Sequence, residues 1–110
     1  MVTDEVARAV LSAIRERRSI RRYRPEPVPA GLLAEVLAAA TWAPSAHNRQ
    51  PWRFAVVRSP AGKAELAEAM GDRLRADLEA DGAPQEVIET DVRRSYQRMT
   101  GAPALVVVCL

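Results

Sequence analysis

Ala43-Pro-Ser-Ala-His-Asn-Arg-Gln-Pro-Trp-Arg-Phe54 is the stretch around which this chain is arranged. It places two prolines, four hydrogen-bonding side chains and two aromatics between a predicted helix and a predicted strand. Pro44 and Pro51 fix their own φ and restrict the residues before them, which predicts extended backbone at Ala43 and Gln50 and a rather rigid turn between. Ser45, His47, Asn48 and Gln50 supply hydroxyl, imidazole and amide groups that both donate and accept, which suits them to the edge of a planar heterocycle. The plainer alternative is a loop whose polar groups only satisfy their own backbone.

Upstream, Arg15-Glu-Arg-Arg-Ser-Ile-Arg-Arg-Tyr-Arg24 holds six arginines in ten residues and a local charge of +5. Three readings fit such a run. Arginines at a helix end can complement the negative pole of the dipole and point into water. They can form a phosphate site, with guanidinium forks on the oxygens and Ser19 adding a hydroxyl. They can also be a nucleic-acid patch.

The rest of the chain frames these two blocks. Thr3 is a predicted N-cap, with Val6, Val10 and Ile14 at helical spacing up to about Arg17. Pro25-Glu-Pro-Val-Pro29 is an extended connector that ends the arginine run. A second helix covers roughly Ala30 to Trp42, with Leu33, Val36, Leu37 and Ala40 on one side, and it delivers the chain into the Ala43 loop. Arg53 to Arg58 reads as a buried strand, and Ser59-Pro60 opens a third helix with an apolar stripe of Leu66, Met70, Leu74 and Leu78. Pro84 begins a fourth helix carrying Ile88, Val92, Tyr96 and Met99, which Gly101-Ala-Pro103 stops. Trp42 and Trp52, flanking the loop, are expected to anchor it into the core rather than to stack on a ligand.

Composition narrows the options. At 110 residues the chain is one domain at most, with the apolar and charged fractions of a globular protein. Through Arg53 there are nine basic and five acidic residues, and beyond it seven and nine, so an anionic ligand favours the first half. No apolar run approaches the length of a membrane span and the start lacks a secretory pattern, so a cytoplasmic location and no membrane partner are expected. Cys109 is the sole cysteine, which excludes an internal disulfide and a multi-cysteine metal site, and its apolar neighbours predict a buried small hydrophobe. Asp77-Leu-Glu-Ala-Asp-Gly82 imitates a calcium loop, but Ile88 stands where a bidentate glutamate is needed, so no metal site is assigned.

The final Ala104-Leu-Val-Val-Val-Cys-Leu110 is an uninterrupted apolar strand. Such a strand needs cover on both faces, and two strands make a poor independent sheet. The expectation is a chain that stops short of its domain's end, near Leu110, or one that a partner completes.

Arg17-Arg-Ser-Ile-Arg-Arg-Tyr-Arg24 with Pro27-Val-Pro29, followed one helix later by Ala43-Pro-Ser-Ala-His-Asn-Arg-Gln-Pro-Trp52, closely resembles the N-terminal half of the flavin-dependent nitroreductase family. The resemblance extends over nearly all 110 residues. It implies an α+β fold with helices around a mixed sheet, of which residues 1–110 are the N-terminal part of a single FMN-dependent domain. It also implies a homodimer with FMN at the interface, and hydride transfer from NADH or NADPH to a small-molecule acceptor. Arg17, Arg18, Ser19, Ile20 and Arg21 match the family's phosphate and ribityl motif, and Pro44, Ser45, Asn48 and Gln50 match the loop near the flavin ring. Asp77 is the candidate for the polar residue that family members place near the flavin from the third helix. The spelling from Trp42 to Trp52 looks most like the flavin domain of coenzyme F420 biosynthesis proteins, which implies reduction of a dehydro precursor. Family members continue well past Leu110 and complete the phosphate site there.

The expected function is therefore an FMN-dependent oxidoreductase with no protein residue in a catalytic role, since the flavin carries the chemistry. His47, a lone loop histidine, reads as a hydrogen-bonding or exposed residue rather than a general acid. No nucleic-acid partner is expected on this reading. The alternatives are an arginine-rich nucleic-acid or anion-binding module, for which duplex binding would fall steeply with salt, and an inactive remnant of the oxidoreductase.

Overall fold

A computed structural model describes residues 2–110. Four α-helices and two strands follow one another as α1 (Asp4–Glu16), α2 (Ala30–Ala40), β1 (Arg53–Val57), α3 (Pro60–Ala80), α4 (Gln85–Gly101) and β2 (Leu105–Cys109), with a short 3₁₀ turn at Ala46–Asn48. The helix starts are those the sequence specifies. Thr3 Oγ1 accepts the Val6 N–H at the start of α1, and Ser59 Oγ accepts the Gly62 N–H ahead of Pro60 at the first position of α3. Helix α2 ends at Ala40, and the Thr41 hydroxyl turns back onto the Ala38 carbonyl.

The packed part of the molecule is small. Ala67, Gly71, Ile88, Ala102 and Lys63 are its buried residues, all from α3, α4 and the α4–β2 junction. Lys63, Ala67, Gly71, Leu74 and Leu78 run along the inner side of α3, where Gly71 meets the Val92 side chain and small residues let the helices approach. The expected stripe at Met70 is therefore displaced, because Met70 is half exposed and Ala67 and Gly71 occupy the contact. On α4 the inward set is Ile88, Val92, Ser95 and Met99, and Tyr96 lies to the side of it. Lys63 Nζ donates to the Ala102 carbonyl at 2.7 Å, so a buried ammonium ties the start of α3 to the end of α4.

Strand β1 pairs with β2 antiparallel in the register Arg53↔Cys109 to Val57↔Leu105. Two expectations fail here for one reason. β1 is half-buried at most and Cys109 is exposed, because no layer among the described residues covers the two-stranded ladder. The same holds for Trp42, expected as a core anchor and found 88% exposed, whereas Trp52 is half-buried. No residue of α1 or α2 is buried. The accessible surface of 9101 Å² compares with about 6,000 Å² for a compact monomer of this mass, and the radius of gyration of 17.9 Å with about 13 Å. No helix among the described residues is long and apolar enough to cross a membrane.

Candidate functional site

The Ala43 loop is built from its own hydrogen bonds. The Asn48 N–H donates to the Ser45 carbonyl at 3.0 Å and the Arg49 N–H to the Ala46 carbonyl at 3.2 Å. The Gln50 N–H donates to Ser45 Oγ at 3.0 Å, which closes the loop across five residues. His47, Asn48 and Gln50 all have positive φ, at 53°, 51° and 49°. Gln50 is therefore not extended as the following proline predicts. The bond from its N–H to Ser45 and the turn at Asn48 hold it in the left-handed region, at a cost of about 1–3 kcal/mol. Strain of this kind persists only where the surroundings over-determine it.

That conformation sets the side chains. Gln50 Nε2 donates to Asn48 Oδ1 at 3.2 Å, which joins the two amides and leaves Asn48 Nδ2 and Gln50 Oε1 as an outward donor and acceptor. Ser45 is half-buried, its oxygen engaged by the backbone and its hydroxyl proton still available. Pro44 and His47 are exposed.

In the arginine block, the Arg17 N–H closes α1 on the Ala13 carbonyl, and residues 17–24 follow in exposed, irregular backbone. Arg17, Arg18, Ser19, Ile20 and Arg21 are all exposed. The ion pairs among the described residues lie elsewhere, between Arg73 and Asp77 (3.2 Å) and between Arg75 and Glu89. The guanidinium groups of the block thus carry no protein counter-charge, and no hydrogen bond joins the block to the Ala43 loop among the described residues. Asp77 sits in the last turn of α3, paired with Arg73 one turn earlier. The structure thus brings Ser45, Asn48 and Gln50 together and leaves Asp77 in a separate surface pair.

Two features were not singled out by sequence. The first is a cleft of about 440 Å³ between Arg21–Tyr23 and the end of α4, where Arg94, Gln97 and Arg98 face it. The i, i+3, i+4 spacing of those three residues was the available signal. The second is the Arg75–Glu89 pair across α3 and α4, which Gln85 Nε2 extends at 2.9 Å to Glu89. The Arg75 hydrogen bond holds the Glu89 carboxyl below its ordinary range, and the same bond raises Arg75.

With that geometry in view, comparison with known proteins is informative. A sequence model described as the nitroreductase family matches residues 14–109. A Thermus thermophilus protein named NADH dehydrogenase is 64% identical over 58 residues, which is 53% of this chain and 28% of that protein. Among solved structures, an iodotyrosine deiodinase bound to FMN and 3-iodo-L-tyrosine superposes with a TM-score of 0.70 at 25% identity, covering 90% of this chain and 55% of that one. A nitroreductase-like family protein from Bacillus cereus gives 0.63 at 28% identity, covering 90% and 48%. The chain thus spans about half the length of the solved relatives it matches.

Proposed function

The chain belongs to the nitroreductase family, and on that premise we propose that its 110 residues are the N-terminal part of one FMN-dependent oxidoreductase domain. The observation that carries this reading is the pair of donor sets in the two blocks. Arg17, Arg18, Ser19 and Arg21 form an exposed cationic segment with no carboxylate partner among the described residues. That chemistry fits a phosphate dianion, which guanidinium forks bind in bidentate fashion. Asn48 Nδ2 and Gln50 Oε1, held side by side by their mutual hydrogen bond, match a heterocycle edge that needs a donor and an acceptor. Ser45 holds that edge in place by accepting the Gln50 N–H, Pro44 restricts the backbone ahead of it, and Ile20 offers an apolar contact between the flanking arginines.

The chemistry that FMN supplies when bound is acceptance of hydride from NADH or NADPH and its delivery to a small-molecule acceptor. The residues named here bind and orient, and none donates or removes a proton. The FMN bound to the deiodinase and the NADH in the Thermus protein's name support the cofactor pair. Dimerisation with FMN at the interface is part of the proposal, and it accords with the apolar surface that α1 and the strand pair leave uncovered. The finer reading, reduction of a dehydro precursor in coenzyme F420 biosynthesis, rests on the Trp42–Trp52 spelling. Asp77 is the weakest member of the proposed set, because Arg73 already holds it. A cytoplasmic location accompanies this reading.

The test is the flavin content of the purified chain, by absorbance and by fluorescence after denaturation, alongside its mass in solution. Bound FMN on a dimer is the expected result. Arg17→Ala and Ser19→Ala should each lower occupancy, by about tenfold for the arginine, because a charge-assisted bond is worth roughly 1.5–3 kcal/mol. Flavin content indifferent to both substitutions overturns the phosphate assignment.

A further inference from the structure

The cleft beside α4 has a chemistry of its own. Arg21, Arg22 and Tyr23 line one side and Arg94, Gln97 and Arg98 the other, around about 440 Å³. No carboxylate is among its lining residues. Arg94, Gln97 and Arg98 lie within about one turn of α4, exposed and turned away from the buried Ile88, so their side chains are not needed for packing against α3. The ion pairs among the described residues use Arg73 and Arg75, and none involves Arg21, Arg22, Arg94 or Arg98. Four cations therefore face one concave space without a protein counter-ion, an arrangement that repels itself until an anion occupies it.

We propose that this cleft is a second anion site, taking a phosphomonoester or pyrophosphate group of a small molecule. Guanidinium forks select planar or tetrahedral oxyanions, and two forks from α4 facing two from the extended segment can hold adjacent oxygens. Gln97 and the Tyr23 hydroxyl add neutral polar contacts that a bare ion would not need. The volume lies in the range of small-molecule sites rather than of a single ion. Arg17, Arg18 and Ser19 do not line the cleft, which adjoins the flavin motif at Arg21 and extends from there to α4. The site does not depend on the flavin assignment.

The test is calorimetric titration of the 110-residue chain with inorganic pyrophosphate at low salt. Saturable binding is expected, weakened about tenfold or more in the Arg94→Gln/Arg98→Gln double variant, because two charge-assisted contacts are lost. Arg17→Ala, which leaves the cleft's lining intact, should weaken it clearly less than the double variant does. All these positions are exposed, and an unchanged circular dichroism spectrum establishes the fold of each variant. The Arg94→Lys/Arg98→Lys pair, which keeps charge without the fork, should recover binding only in part. Absence of saturable binding, indifference to the double glutamine variant, or equal loss in Arg17→Ala overturns the proposal. So does displacement of pyrophosphate by FMN at one equivalent, which would make the cleft the flavin's own phosphate pocket. Duplex DNA that outcompetes pyrophosphate and loses affinity in the same variants overturns it in favour of nucleic acid. NADPH binding more tightly than NADH, with the difference lost in the double variant, supports the site and identifies the source as the donor's extra phosphate. Pyrophosphate binding that neither dinucleotide displaces supports it with a separate phosphorylated metabolite. The flavin content of Arg17→Ala is read separately, so either assignment can fail alone.

Discussion

The α3–α4 hairpin and the segment from α1 through the Ala43 loop are of similar length and opposite in construction. Among the described residues, every buried one belongs to α3, α4 or the α4–β2 junction, and none before β1 is buried. The hairpin holds apolar contact, one buried ammonium and two ion pairs, Arg73–Asp77 and Arg75–Glu89. The N-terminal region holds exposed arginines, outward amides and three left-handed residues. The difference separates scaffold from ligand chemistry. Stability resides where side chains meet each other, and the groups suited to a ligand are those the chain leaves unpaired.

The contrast is most exposed to test at Ile88, the one large side chain among the described residues that is fully buried. Ile88→Ala should cost about 2–5 kcal/mol, a large share of any small domain's margin, and urea unfolding followed by helix circular dichroism should show it. An unchanged midpoint would mean that the hairpin is not the scaffold. Next is Lys63→Met, which leaves the Ala102 carbonyl without its donor and should lower stability by about 1–3 kcal/mol in the same assay.

Ser45→Ala should behave differently. It removes the acceptor for the Gln50 N–H, so amide exchange at Gln50 should accelerate by about fivefold, as for a bond worth roughly 1 kcal/mol, while the global unfolding midpoint stays put. A shift in that midpoint would join the loop to the scaffold and dissolve the distinction drawn above. The smallest effect is at Glu89. Its carboxyl is held below its ordinary range in the folded chain, so the pair's stabilisation is present above the unfolded value and lost as pH falls through the folded one. Glu89→Gln should remove that acid-side loss and leave stability near neutrality almost unchanged, since the pair is solvent-exposed.

Much of this was legible in the chain. Thr3 and Ser59-Pro60 cap helices through local hydrogen bonds, and Gly101-Ala-Pro103 ends one through backbone restriction. The two blocks that carry the family resemblance are local motifs, and a local motif is read without knowing what packs on it. Gln50 escaped, because an acceptor five residues back, Ser45 Oγ, overrode the preference that Pro51 imposes. Met70 and Tyr96 escaped because helical spacing gives a stripe but not the partner that selects its centre. Cys109 and Trp42 were misread on the assumption that apolar residues find cover.

By itself, then, the amino-acid order determined the helices, the strands, the arginine block and the polar loop, since capping, periodicity and proline restriction act within a few residues. Tertiary structure alone decided the antiparallel pairing of β1 with β2, the Lys63 tie to Ala102, the left-handed set of Gln50 and the convergence of Arg21 and Arg22 with Arg94 and Arg98. Most of these join residues tens of positions apart, and Gln50 is set by an acceptor outside its own dipeptide. Their energies depend on distance in space, which spacing along the chain does not encode.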